Sequence, residues 1–344
     1  MAYLHAVAES DNNQHTTDTP TVLITGANGF VGSRLCRRFV AGGYRVIAGV
    51  RKTSDLALLK DCEVEFRYGD VTRPDTLPEL VAGVDAIIHN AGVVKARQSA
   101  TFFEVNEHGT RRLMDAIVEH NPDIERVVYI SSLAAAGPSV GNTPRSEDDT
   151  PAPVTTYGRS KLAGERVAMK YANRLPVVAV RPPGVYGPGD REMFTLFKTV
   201  NGGIKPMIGD MRRRLQVVHV DDLCDGVFRA AATDVDPGSI YFVAEKTAYS
   251  MREFIGHFVT GSGRRCFPLI VPSWLFVSIA AVSEFFCKLI GVASMLNREK
   301  TAELLASWEI DTTRAREELG FESTIDLEQG VRETYRWYRE KGWL

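Results

Sequence analysis

The run Thr21-Val22-Leu23-Ile24 passes without a linker into Thr25-Gly26-Ala27-Asn28-Gly29-Phe30-Val31-Gly32, and that segment opens a helical period reaching about Ala41. A buried strand, a G-x-x-G-x-x-G turn and a helix in immediate succession admit few folds. Glycine at these places lets the chain reverse tightly, lets backbone approach a bound group closely and lets helix lie against strand. The helix start adds unpaired N–H groups and a positive dipole end, which suit a phosphate. Short apolar runs recur at Tyr44–Val50, Val64–Tyr68, Ala86–His89, Val127–Ile130 and Val177–Val180, with helical stretches between them, notably at about 102–120 and 157–173. Strands alternating with helices predict βαβ units, a parallel sheet and, through right-handed crossovers, helices on both faces.

The fold class expected is therefore α/β, a Rossmann-type doubly wound parallel sheet with a smaller, mostly helical C-terminal substrate lobe. Residues 182–214 are rich in Pro, Gly and Arg and show no regular alternation. Gln216–Val220, a helix over Asp221–Ala232 and Ser239–Val243 return to the sheet pattern, and the last 100 residues read as mostly helical. The division predicted is a polar, disordered leader (1–19), a dinucleotide-binding core (20–181 plus 216–243) and a substrate-binding lobe (182–215 plus 244–344).

Composition removes several classes. With 41 basic and 43 acidic side chains the chain has no general pull toward nucleic acid. Five scattered cysteines without a C-x-x-C pair argue against a disulfide framework, and the seven histidines show no metal-ligand spacing, so no metal is expected. Residues 1–19 lack a secretory signal, which makes a cytoplasmic location the expectation. Leu269–Ala293 is strongly apolar, yet Pro272, Glu284 and Lys288 interrupt the roughly 20 apolar residues that a spanning helix needs. A buried helix of the substrate lobe is the first reading. An interfacial helix making peripheral membrane contact, or a partner-binding face, are the others.

In Rossmann units an acidic residue about 20 positions past the glycines holds the ribose 2′-hydroxyl of NAD. Here the strand ends Gly49-Val50-Arg51-Lys52, with no carboxylate at its tip. Arg51 and Lys52 are suited to the 2′-phosphate of NADP, which is the expected cofactor, with NAD as the alternative; a solvated basic loop is the bland reading. Tyr157 and Lys161 are four apart at a helix start and project from one face. Acid/base work by a tyrosine near neutrality needs its pKa lowered by roughly 3 units, about 4 kcal/mol, and a neighbouring ammonium works in that direction. Ser132 ends the strand Val127–Ile130, where open α/β sheets bind ligands, and could hold a substrate oxygen. Asn106, on the intervening helix, is either polar furniture or the holder of a water behind Lys161.

The motifs T-G-x-x-G-x-x-G, Asp70-Val71, His89-Asn90-Ala91-Gly92, Ser131-Ser132, Tyr157-x-x-x-Lys161 and Arg181-Pro182, in this order, resemble those of the extended short-chain dehydrogenase/reductases. The resemblance spans 21–222 and extends to the tail from Asp311. It implies Tyr157 as acid/base, Lys161 as pKa modulator and ribose binder, Ser132 as substrate-oxygen anchor and Asn106 as fourth active-site residue. Gly26, Asn28, Gly29, Phe30, Val31, Gly32, Asp70, Val71, Asn90, Ala91, Gly92 and Pro182 are the implied cofactor contacts, Asp70 and Val71 at the adenine. Asn90 departs from the apolar residue common at its place. A homodimer through helices near 102–120 and 157–173 is implied as well.

Leu133-Ala134 stand after Ser132 where sugar-nucleotide dehydratases carry Asp-Glu, and Leu215 stands where sugar-nucleotide enzymes usually carry a diphosphate-binding Arg. Arg212, Arg213 and Arg214 are close enough to replace that arginine. Arg181–Asp190 resembles the 3β-hydroxysteroid dehydrogenase and dihydroflavonol reductase-like branch, which implies an NAD(P)-dependent oxidoreductase interconverting a secondary alcohol and a ketone on a bulky, lipophilic small molecule. A nucleotide-sugar epimerase with tightly bound NAD and a non-catalytic NADP-binding regulator stay open.

Overall fold

A computed structural model describes residues 19–141, 143–289 and 297–344, without the side chains of 285–289. Residues 1–18 of the leader expected over 1–19, and residues 290–293 of the apolar run, lie outside the described residues.

The first six strands are β1 (Thr21–Thr25), β2 (Arg45–Val50), β3 (Glu65–Tyr68), β4 (Ala86–His89), β5 (Arg126–Ile130) and β6 (Val177–Arg181). Four short strands follow, β7 (Gly184–Tyr186), β8 (Ile204–Ile208), β9 (Arg214–Leu215) and β10 (Val217–His219). The last three are β11 (Ile240–Phe242), β12 (Tyr249–Ser250) and β13 (Phe267–Val271). The central sheet has seven strands in the order β11-β6-β5-β4-β1-β2-β3, all parallel. β1, β5 and β6 are buried along their whole length, because helices cover both faces and alternation is lost. One face packs on the helices Phe30–Ala41 and Val220–Ala232 through Leu35, Phe39, Leu223 and Val227. The other packs on Thr110–His120 and Thr156–Met169 through Leu113, Ile117 and Ala168. The doubly wound reading holds.

Three expectations need correction. Gln216–Val220 does not rejoin the central sheet: β10 pairs in parallel with β7 in a separate two-stranded ribbon. The stretch 182–214 is not irregular, for it holds β7, the helix Phe194–Asn201, β8 and β9. Strands of two to five residues paired outside the main sheet are too short for period-2 alternation to show. Third, the apolar run is no buried helix. It divides at Pro272 into β13, paired in parallel with β8, and the helix Ser273–Leu289, and much of both is exposed.

The helical stretch at 102–120 runs as Ser99–Phe103, a π-helical turn over Glu104–Gly109 and then Thr110–His120; the stretch at 157–173 is Thr156–Met169. The lobe has its own core, in which Tyr186, Phe197, Phe254, Phe258, Val331 and Tyr335 pack together.

Candidate active site

The glycine turn is closed by contact of backbone on backbone. Gly26 has φ +65°, and a Cβ there would lie 2.9 Å from the Ala91 Cα; a Cβ on Gly32 would overlap the Gly26 carbonyl. The helix Phe30–Ala41 starts from Gly29 with no side-chain cap and no acidic residue in its first turn, leaving its N–H groups to a ligand. The Asn90 amide donates to the Gly26 carbonyl at 3.3 Å, so this departure from the family pattern ties the end of β4 to the turn. Ala91 N–H donates to Thr25 Oγ1 at 3.0 Å. Phe30 and Val31 are half-buried, and the Asn28 amide donates to the Asp55 carbonyl at 3.3 Å. The turn thus adjoins the loop that carries Arg51 and Lys52, both exposed past β2. Asp70 Oδ1 accepts from Thr72 N–H and Oγ1–H, both at 2.8 Å, and Val71 is buried against Gly109.

A polar relay runs beneath the site. Thr25 Oγ1 lies 3.0 Å from His89 Nδ1, His89 Nε2 lies 3.1 Å from Thr110 Oγ1, and Thr110 Oγ1 donates to the Asn106 carbonyl at 2.7 Å. Since Thr110 spends its proton on Asn106, His89 Nε2 carries the hydrogen and Nδ1 accepts. Burial, aided by the charge of Lys161, drives the His89 pKa down to about 3, so the ring is neutral.

Asn106 sits in the π-turn, buried, with its side chain fully used. Its Oδ1 accepts from Val93 N–H at 2.8 Å, and its amide donates to the Val93 carbonyl at 3.1 Å and to Ser160 Oγ at 2.9 Å. It locks the loop after β4 to the helix Thr156–Met169. A Cβ on Gly164 of that helix would collide with the Asn106 carbonyl, so glycine is what lets the two backbones meet.

Ser132 and Tyr157 come together. The helix Thr156–Met169 is capped by Thr155, whose Oγ1 accepts from Gly158 N–H at 3.0 Å, which fixes Tyr157 in its first turn. Ser132 Oγ accepts from Ala134 N–H at 3.1 Å, and Leu133 N–H donates to the buried Pro182 at its carbonyl, 2.7 Å away. The Ser132 hydroxyl stands beside the Tyr157 phenol and favours its ionised form. Burial pushes that phenol up to about 12; Ser132 works against the rise, while Glu303 and Glu192 add to it.

Lys161 is buried at the end of β5. Its Nζ donates to the Ile130 carbonyl at 2.6 Å and lies 4.6 Å from the centre of the Tyr129 ring. Burial draws its pKa down to about 8, opposed by Glu165. The exposed Gly92 brings backbone to this corner: a Cβ there would be 3.1 Å from Asn106 Oδ1 and 3.8 Å from Lys161 Nζ. The open glycine turn, the buried ammonium and this bare glycine fit a dinucleotide laid across the carboxyl ends of the strands.

Several site residues escaped the sequence reading. Glu165, one turn past Lys161, takes two bonds from Arg181 at 2.8 and 2.6 Å and one from Ser131 Oγ at 2.6 Å, all buried. Its i+4 spacing from Lys161 was a usable signal. Glu299 had none: from a distant helix it accepts from Thr156 N–H at 2.6 Å, from Thr156 Oγ1–H at 3.1 Å and from Arg159.

The three arginines that sequence offered to a diphosphate have partners within the chain. Arg212 pairs with Asp210, Arg213 donates to the Ile208 and Asp210 carbonyls, and Arg214 pairs with Glu309 and donates to the Ala248 carbonyl.

A model of the NAD dependent epimerase/dehydratase family matches residues 22–244. The chain is 31% identical over 327 residues to the ceramide reductase of Caulobacter vibrioides, covering 94% of this chain and 96% of that one. It is 27% identical over 347 residues to a 3-beta-hydroxysteroid dehydrogenase of Mycolicibacterium neoaurum, covering 94% and 93%. The crystal structure of gox2253 matches with a TM-score of 0.80 at 26% identity, over 94% of this chain and 98% of that chain. MoeE5 in complex with UDP-glucuronic acid and NAD matches with a TM-score of 0.74 at 27% identity, over 93% and 99%. The seven-stranded sheet, the glycine turn and these likenesses together make the chain a member of the NAD-dependent epimerase/dehydratase family, an NAD(P)-dependent oxidoreductase among the extended short-chain dehydrogenase/reductases.

Proposed function

We propose that the chain interconverts a ketone and a secondary alcohol on a bulky, lipophilic small molecule, using NADP in preference to NAD. The observation that carries this reading is the Ser132–Tyr157 hydroxyl pair, set beyond the carboxyl end of β5 next to the corner formed by Gly92, Asn106 and Lys161. The ceramide and hydroxysteroid relatives support the lipophilic substrate. Exposed Arg51 and Lys52, with no carboxylate at the tip of β2, support NADP.

The cofactor would be held by Gly26–Gly32 and the helix start at its pyrophosphate, by Asp70 and Val71 at the adenine, by Arg51 and Lys52 at a 2′-phosphate, and by Asn90–Gly92, Pro182, Tyr157 and Lys161 toward the nicotinamide. When bound, the nicotinamide supplies a hydride to the carbonyl carbon, or takes one back in the reverse direction. Tyr157, kept protonated at neutral pH by burial, donates its phenolic proton to the carbonyl oxygen, and Ser132 donates a second hydrogen bond to that oxygen. The Lys161 ammonium grips ribose hydroxyls and offsets the phenolate left behind. Asn106 acts through position, since its amide is committed to Val93 and Ser160.

The epimerase reading draws on the likeness to MoeE5 but is weakened by arginines already paired within the chain. Four free cysteines among the described residues suit a reducing, cytoplasmic setting, and a homodimer through the helices Thr110–His120 and Thr156–Met169 belongs to the same proposal.

Replacing Tyr157 by Phe tests the chemistry. Oxidation of NADPH against a panel of bulky ketones should fall by about 10²–10⁴-fold while NADPH affinity stays within about twofold. Undiminished turnover would refute the role of Tyr157. Stoichiometric NAD released on denaturing the purified chain would favour the epimerase instead.

A further inference from the structure

The apolar surface built by β13 and the helix Ser273–Leu289 is not used by the chemistry above. β13 pairs only with β8 among the described strands, so one of its edges is free. Its neighbouring side chains alternate between faces, and both faces are bare: Phe267 is 81% exposed and Ile270 68%. In the helix that follows, Phe276 and Ala280 turn inward at 9% and 1%, while Trp274 is 69% exposed and Val277 and Val282 also face outward. An exposed apolar surface this continuous marks an interaction site.

Charge narrows the occupant. Arg264 and Arg265 stand exposed immediately before β13, and Lys205 lies in register with Pro268 at the same end of the ribbon. From Arg264 to Ser283 the chain has no acidic residue. The first, Glu284, accepts from Arg298 N–H at 3.1 Å. A basic rim around an apolar, Trp-bearing surface suits anionic lipid headgroups over acyl chains. A flat two-fold contact would cover one face of the ribbon, whereas shallow insertion into a bilayer covers both. No helix among the described residues is long and apolar enough to cross a membrane.

One helix connects this surface to the helix that bears Tyr157. Glu284 meets the start of the helix Arg298–Leu305, and Glu299 of that helix holds Thr156 and Arg159 at the start of the helix bearing Tyr157. One helix therefore separates the apolar surface from the Ser132–Tyr157 pair.

We propose that β13 and the helix Ser273–Leu289 dock on the surface of an anionic phospholipid bilayer, with Arg264, Arg265 and Lys205 at the headgroups, and so present the active-site mouth to lipid. Docking goes beyond the oxidoreductase reading and is measured without turnover. The test is flotation of the full chain with vesicles of phosphatidylcholine alone and of equal parts phosphatidylcholine and phosphatidylglycerol. The chain should float with the mixed vesicles and more weakly with phosphatidylcholine alone. Arg264→Glu with Arg265→Glu should cut flotation on mixed vesicles about tenfold or more, since each cation near such a surface is worth roughly fivefold. Ile270→Asp with Trp274→Asp should abolish it on both. These positions are exposed, and unchanged melting temperature and NADPH affinity in both variants would exclude misfolding.

Wild-type chain that floats with neither vesicle, or flotation that neither variant alters, would overturn the proposal. So would a dimer that Ile270→Asp with Trp274→Asp dissociates in the absence of vesicles, which would assign the surface to a second copy. A chain that floats yet oxidises no NADPH against any ketone would leave docking standing and remove the oxidoreductase reading.

Discussion

On the proposed reading, Lys161 serves function at a cost to the fold. Its pKa, drawn down to about 8 by burial, lies below that of a lysine in an unfolded chain. Between those two values the unfolded chain binds more protons, so this group's contribution to stability rises with pH across that window. Below about pH 8 the buried charge costs the fold on the order of 3 kcal/mol. Lys161→Met should therefore raise the melting temperature near neutral pH, with the gain shrinking well above pH 8, while NADPH oxidation is lost. A melting temperature lowered equally at both pH values would contradict this. Arg51 carries the second expectation. Arg51→Ala should weaken NADPH about 10–100-fold, the worth of a charge-assisted contact, and leave NADH nearly unchanged, as read by titration of cofactor fluorescence. That Tyr157, Lys161 and Ser132 lie near the end of β5 and the start of the helix Thr156–Met169 was legible because their signals are local, a four-residue spacing and a strand end. The Ile130 carbonyl as partner of Lys161 was not, since it depends on where β5 ends in space.

At the scale of elements, the helix Thr156–Met169 is the beam on which the site rests. Glu165 binds it to Arg181 on β6 and to Ser131 beyond β5, in a pair whose side chains are 2–3% exposed. Breaking one partner of a buried pair leaves the other charge uncompensated. Glu165→Gln should cost about 3–5 kcal/mol in urea unfolding, and Glu165→Leu with Arg181→Met should recover most of it. Equal losses in the single and double variants would show that packing, not charge, dominates. The π-turn Glu104–Gly109 serves the same beam by aiming Asn106 at Val93 and Ser160. Sequence periodicity showed a helix there but not its wider turn, because one extra residue per turn barely shifts an apolar stripe. The central strands were legible since burial on both faces makes continuous apolar runs. β7 was not, for three residues paired away from the main sheet leave no pattern of their own, and β10, read as a strand within Gln216–Val220, gave no sign that its partner is β7.

For the whole molecule, near-neutral net charge conceals an uneven distribution. The 41 basic and 43 acidic side chains cancel, yet Arg51 and Lys52, beside the glycine turn, form no ion pair among the described residues, and Arg264 and Arg265 rim the apolar surface. Arg212–Arg214, which sequence offered to a diphosphate, are bound up in the lobe's own framework. The pairing of β7 with β10 joins segments more than 30 residues apart in the chain. The apolar run is where sequence alone left most open, because hydrophobicity reads the same whether a segment is buried in a core or exposed on a surface. What separates this molecule from an epimerase of the same fold is whether hydrogen leaves the cofactor for good. Wild-type chain should be incubated with bulky ketones and NADPH deuterated at C4, the 4R and 4S forms in turn. One of the two labels should appear as a single deuterium on the carbinol carbon of the product, with NADP released in equal amount. Product lacking deuterium with both labels, and cofactor recovered in its starting redox state, would contradict the assignment.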